Sequence, residues 1–122
     1  MSNARRSRRA VQRHAITAKL AKARRQPARF VRTLGPDEIW ARGRVLFVVP
    51  GTPEGAPPLI REGTTRRRLA ALHGECPCGG SSSHPRAVLD AIHRLTFLHE
   101  ADCPASDDVL VPALRAWRES AA

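Results

Sequence analysis

CPCGGSSSHPRAVLDAIHRLTFLHEADC, residues 76–103, holds every cysteine of the chain (Cys76, Cys78 and Cys103) and three of its five histidines, His84, His93 and His99. Thiolate and imidazole are the ligands of tetrahedral zinc, and three cysteines with one histidine complete such a site. An odd, low cysteine count argues against a disulfide framework. The basic start is not followed by an apolar core segment, so no signal peptide is expected.

The fourth ligand follows from a helix expected between Pro85, well placed as a first helical residue, and about Ala101. On that helix Val88, Ile92, Leu95 and His99 recur at +4, +3 and +4 and share one face. His99 then points where the apolar face points, and Cys103 lies one turn further on. The expected ligand set is Cys76, Cys78, His99 and Cys103, around one structural zinc ion. His84, close to Cys78 in a serine-rich loop, is the main competitor for His99, and His93 is another. The alternative without a metal is three plain buried thiols.

Cys76-Pro77-Cys78-Gly79-Gly80 resembles a zinc knuckle, whose usual form is Cys-Pro-x-Cys-Gly; here it is one residue shorter. It is also similar to the start of the SEC-C type zinc motif, Cys-x-Cys-Gly-Ser-Gly, a small binding tail of larger proteins. That motif implies a further Cys with Cys or His about nine residues on. Ser81 to His84 and the expected helix stand there instead. A site closed by four protein ligands is structural rather than catalytic. His99-Glu100 lacks the second histidine of HExxH, and Glu75 is the only nearby candidate base. No enzymatic activity and no small-molecule substrate are therefore expected.

Outward from this stretch, the charge is uneven. The 122 residues carry a formal net charge of +10, and 42% are hydrophobic but only 4% aromatic. Residues 1–36 hold eleven Arg and Lys and no acid, while the remainder holds ten basic and eleven acidic residues. That asymmetry is the mark of a tail that meets a polyanion. The expected contacts are Arg5, Arg6, Arg8, Arg9, Arg13, Lys19, Lys22, Arg24 and Arg25 in the arm, with a second cluster at Arg66, Arg67 and Arg68. Phosphate contacts of this kind bind DNA or RNA with little sequence selectivity. The absence of tyrosine and of aromatic-interleaved basic segments argues against base stacking. Two other readings remain open: a zinc-stabilised protein adaptor with a basic tail, and a mitochondrial-type targeting segment over residues 1–34. No apolar run approaches the ~20 residues of a membrane span, so no membrane role and a cytoplasmic location are expected.

The expected fold is α+β and mostly helical. It is a small zinc-stabilised domain over residues 35–122, with a short β-hairpin or strand and three to four helices, preceded by a basic, partly helical arm over 1–34. Residues 10–25 lack Gly and Pro and favour a helix that Pro27 ends. Residues 35–40 read as a turn into a short helical segment. Gly43 to Val49 reads as the best strand, with Leu59 and Ile60 as its hairpin partner after a proline-rich loop. A helix capped at Thr64 or Thr65 should stop at Gly74, and Ser106, Asp107 and Asp108 should cap the last.

Overall fold

A computed structural model describes residues 7–8, 18–19, 21–82, 86–89, 92–94 and 97–121. Three consecutive strands, β1 (Ala28–Leu34), β2 (Asp37–Arg42) and β3 (Val45–Val49), form an antiparallel sheet in the order β1-β2-β3. Aromatic and β-branched residues favour such pleated pairs, and the two links, Gly35-Pro36 and Gly43-Arg44, are tight turns. The register places Phe30, Trp40 and Phe47 side by side in one cross-strand row. A register shift between Phe30 and Arg32 marks a bulge at the exposed edge strand, a device that discourages further pairing.

Helix α1 (Pro58–His73) follows the proline-rich loop and ends at Gly74 in the left-handed conformation, whose N–H donates to the Ala70 carbonyl. A long antiparallel excursion comes next. Strand β4 (Ser81–Ser82) pairs with β7 (Phe97–Leu98), and inside that pair β5 (Arg86–Leu89) meets β6 (Ile92–Arg94). Helix α2 (Asp107–Ala121) closes the fold. Ser106 caps it as its sequence suggests: Val109 N–H donates to Ser106 Oγ at 3.3 Å. The helix runs through Pro112 without a break. Ile60 on α1 and Leu110 on α2 are each 1% exposed and pack with Ala56, Ala113, Leu114 and Trp117.

The expectation of a mostly helical fold with a hairpin or single strand is corrected by the three-stranded sheet. Among the described residues helix is confined to the arm (7–8, 18–19, 21–24), to α1 and to α2. Residues 37–40 form strand β2 rather than a helical segment: Glu38, Ile39 and Trp40 pair with both β1 and β3, with Val49, Val48 and Phe47 opposite them on β3. Leu59 and Ile60 lie in α1, so the partner of β3 is β2. Thr64 is a buried mid-helix residue that donates to the Ile60 carbonyl at 2.8 Å, not a cap.

The expected helix over 85–101 is replaced by strands β5, β6 and β7. A helix there would be about 25 Å long. The short segment 79–84 would have to stretch almost fully to return Cys78 to His99. Strand pairing brings the same two residues together across one inter-strand spacing, about 4.8 Å. Spacing of apolar residues cannot by itself separate these outcomes in a segment this short. The arm and the sheet are continuous: residues 28–34, which the sequence places with the arm, pair along their length with β2.

Candidate metal centre

The cluster is assembled from two turns and the foot of the β4–β7 ladder. Cys76-Pro77-Cys78-Gly79 is a tight turn in which Gly79 N–H donates to the Cys76 carbonyl at 2.9 Å. Pro77 suits its second position. Gly79 adopts φ +82°, which a side chain would resist. The ladder pairs Ser81 with Leu98, so His99 emerges one residue beyond it, beside the cysteine turn. A second turn, closed by Cys103 N–H donating to the Glu100 carbonyl at 2.9 Å, carries Cys103 inward.

Cys76, Cys78, His99 and Cys103 thus place their ligand atoms all within 4.8 Å of one another. Cys76 Sγ lies 3.7 Å from Cys103 Sγ, His99 Nδ1 lies 3.5 Å from Cys78 Sγ, and 3.7 Å separates it from Cys103 Sγ. All three cysteines are free thiols, and a sulfur separation of 3.7 Å is far longer than the ~2.05 Å of a disulfide. Three sulfurs and one imidazole nitrogen around a common point form a group that can bind a metal ion. His84 lies outside the described residues, and His93 falls within β6. His99 is delivered by the β4–β7 ladder, not by the helical face expected from the spacing of Val88, Ile92 and Leu95.

Cys103 is 3% exposed and Cys76 is 8% exposed, packed with Ala105 and Phe97. The Phe97 and His99 rings lie 4.7 Å apart. Desolvation pushes the Cys76 thiol up to about 11. The Cys78 thiol is drawn down to about 6, by a backbone hydrogen bond at Glu100 foremost and then by His99. The turn therefore presents one thiol ready to ionise beside another that a cation must coax into doing so.

Three successive arginines of α1, Arg66, Arg67 and Arg68, fan out at ~100° per residue and clasp three parts of the fold. Arg66 Nε donates to Glu62 at 2.7 Å, and its Nη1 donates to Cys103 Sγ at 3.8 Å. These contacts raise the Arg66 pKa, Glu62 more than Cys103. Arg67 donates to the Ala105 carbonyl and to Asp107, each at 2.8 Å. Arg68 pairs with Glu38 at 2.6 Å and lies 6.0 Å from the Trp40 ring centroid. Trp40 Nε1, donating at 2.9 Å, and Arg68 together hold the Glu38 carboxyl below its ordinary pKa. The second basic cluster of the sequence thus faces acids of its own domain. The i,i+4 spacing of Glu62 and Arg66 signals one of these pairs; the long-range partners carry no local signal.

Of the arm cations, Arg8, Lys19, Lys22, Arg24 and Arg25 are exposed on helical or turn backbone, whereas Arg5, Arg6, Arg9 and Arg13 lie outside the described residues. Ala23 is 7% exposed, and the Gln26 carbonyl accepts from Arg42 Nη1 at 2.9 Å, so the end of the arm is anchored on the sheet. Among the described residues no helix is long and apolar enough to cross a membrane. Comparison with protein-family models, curated proteins and solved structures finds no match to this chain.

Proposed function

We propose that this is a zinc-stabilised nucleic-acid-binding protein without enzymatic activity, in which one structural zinc ion holds the domain and the basic arm contacts phosphates. The geometry of the four donor atoms carries the metal assignment. Around zinc, with Zn–S near 2.3 Å and Zn–N near 2.05 Å, a regular tetrahedron has S···S edges of about 3.8 Å and S···N edges of about 3.6 Å. Three of the six edges, 3.7 Å for Cys76–Cys103 sulfur and 3.5 and 3.7 Å for nitrogen to sulfur, lie close to these values, and all six are within 4.8 Å. Soft thiolates with imidazole favour zinc over hard cations, and four protein ligands leave no open position for substrate.

The polyanion reading rests on charge. The arm has no acid before Asp37. Arg24, Arg25, Arg29 and Arg32 are exposed, and no ion pair ties them to a described residue. With Arg66, Arg67 and Arg68 engaged inside the domain, the phosphate surface of this reading is the acid-free arm and edge strand β1. DNA and RNA are equally suited, and the compartment is one where thiols stay reduced, such as the cytoplasm.

The test has two arms. Elemental analysis of the purified full chain should give one zinc per chain, and a metal-free but folded protein overturns the first half. Binding to a fluorescent duplex or single-stranded oligonucleotide should weaken steeply between 50 and 200 mM salt. It should weaken, with a shallower salt dependence, when Arg24, Arg25, Arg29 and Arg32 are all changed to Ser. Salt-independent binding, or none, overturns the second half.

A further inference from the structure

The proposed zinc centre has a charge problem. Three thiolates and a neutral imidazole around a divalent cation leave one net negative charge. Cys103, which bears part of it, is 3% exposed. Uncompensated charge at a buried site is costly, and it is normally met by a partner. One cation reaches a ligand sulfur among the described contacts: Arg66, whose Nη1 lies 3.8 Å from Cys103 Sγ.

Two features hold Arg66 in that place. Glu62, one turn earlier, accepts from its Nε at 2.7 Å and fixes the guanidinium plane. Gly63, on the same face of α1, lets the helix backbone approach the loop that follows Cys103. A Cβ there would collide with the Pro104 carbonyl and the Leu110 side chain. The guanidinium serves Glu62 and Cys103 at once through separate N–H donors in a fixed fork; an ammonium on a flexible stem keeps the charge but not the directions.

We propose that Arg66 is the outer partner of the metal centre, its guanidinium shared between Glu62 and the metal-bound Cys103 thiolate, to which it donates a hydrogen bond so that α1 is coupled to the ion. This rests on the zinc reading. The N–H···S bond withdraws electron density from the sulfur, strengthens retention of the metal and blunts Cys103 as a nucleophile. Outer partners of metal ligands typically contribute 10–100-fold to affinity.

Cobalt(II) loaded into the full chain reports on the sulfur directly. In Arg66→Met, affinity measured against a competing chelator should fall by about 10–100-fold, and the thiolate-to-cobalt charge-transfer band should move to longer wavelength. Iodoacetamide should label Cys103 faster. Arg66→Lys should recover part of the affinity. Glu62→Gln, which keeps the guanidinium but loosens its orientation, should give a smaller shift of the same sign; it carries the test if Arg66→Met does not fold. Cobalt bound with the wild-type affinity and spectrum in these variants overturns the role of Arg66 alone. A wild-type chain that binds neither cobalt nor zinc overturns the zinc reading, and this role with it.

Discussion

Two small clusters hold the domain together, and they do so by different physics. The first joins α1 to α2 through Ile60 and Leu110, with Ala56, Ala113, Leu114 and Trp117 around them. Its side chains gain by leaving water, and no other component is needed. The second gathers Cys76, Cys103 and Ala105 with Cys78 and Phe97. It closes the excursion of β4 to β7 with little apolar volume, and its three cysteines, with His99, form a group that can bind a metal ion. The helical half is held by burial, while in the proposed zinc reading the cysteine half depends on metal, oxidation state and pH.

Removing a ligand should separate the halves most sharply. Cys103→Ala, or a strong chelator, should unfold the 76–106 region and drop the melting temperature steeply, since structural zinc contributes on the order of 10 kcal/mol in finger peptides. Calorimetry with parallel elemental analysis checks it; an unchanged melt would make the two clusters physically alike. Leu110→Ala should cost about 2–5 kcal/mol by emptying the apolar cluster. Its metal stoichiometry should stay at the wild-type value, which denaturant titration plus metal analysis can show. Gly63→Ala should cost about 1–3 kcal/mol by forcing α1 off the Pro104 loop. That position lies against Leu110 of the first cluster and Pro104, the residue between Cys103 and Ala105 of the second, so its effect should be read in urea melts of metal-loaded and chelated protein alike.

The smallest effect is expected from pH with the metal chelated away. The Cys78 thiol sits at about 6 in the fold, below its ordinary value of 9.0. Folding therefore favours the thiolate. The stabilisation is complete above about pH 9, fades as pH falls, and is gone below about pH 6. Cys78→Ser should flatten that part of the stability–pH curve, and an unaltered curve would show that Cys78 stays protonated. Metal affinity should fall with acid in the same direction, because every thiol ligand must lose its proton.

How legible all this was differs between the halves. Cys76, Cys78, His99 and Cys103 could be picked out because three cysteines and several histidines crowd one stretch of a chain otherwise without cysteine. The helix that justified His99 was an artefact of apolar spacing; a segment with Val88, Ile92 and Phe97 satisfies strand preferences equally well. The N-terminal sheet went partly unread for a related reason. Strand β3 announces itself as Val45-Leu46-Phe47-Val48-Val49. In contrast, β1 is interrupted by Arg29 and Arg32, and β2 begins with Asp37 and Glu38, so neither has a clean alternation. Arg66, Arg67 and Arg68 looked like a basic patch because their acids, Glu38 and Asp107 above all, are distant in sequence.

Composition and order alone determined the acid-free arm, the identity of the candidate metal ligands and the boundaries of the two long helices at Gly74 and Ser106. Those properties depend on residue type and on neighbours a turn away, which a linear reading captures. Tertiary structure decided which backbone delivers His99 to the cysteines, which arginines face acids and which face solvent, and that α1 reaches a ligand sulfur through Arg66. Each of these is a pairing between distant segments. Its free energy exists only once the chain has closed the loop between them, so no local pattern encodes it.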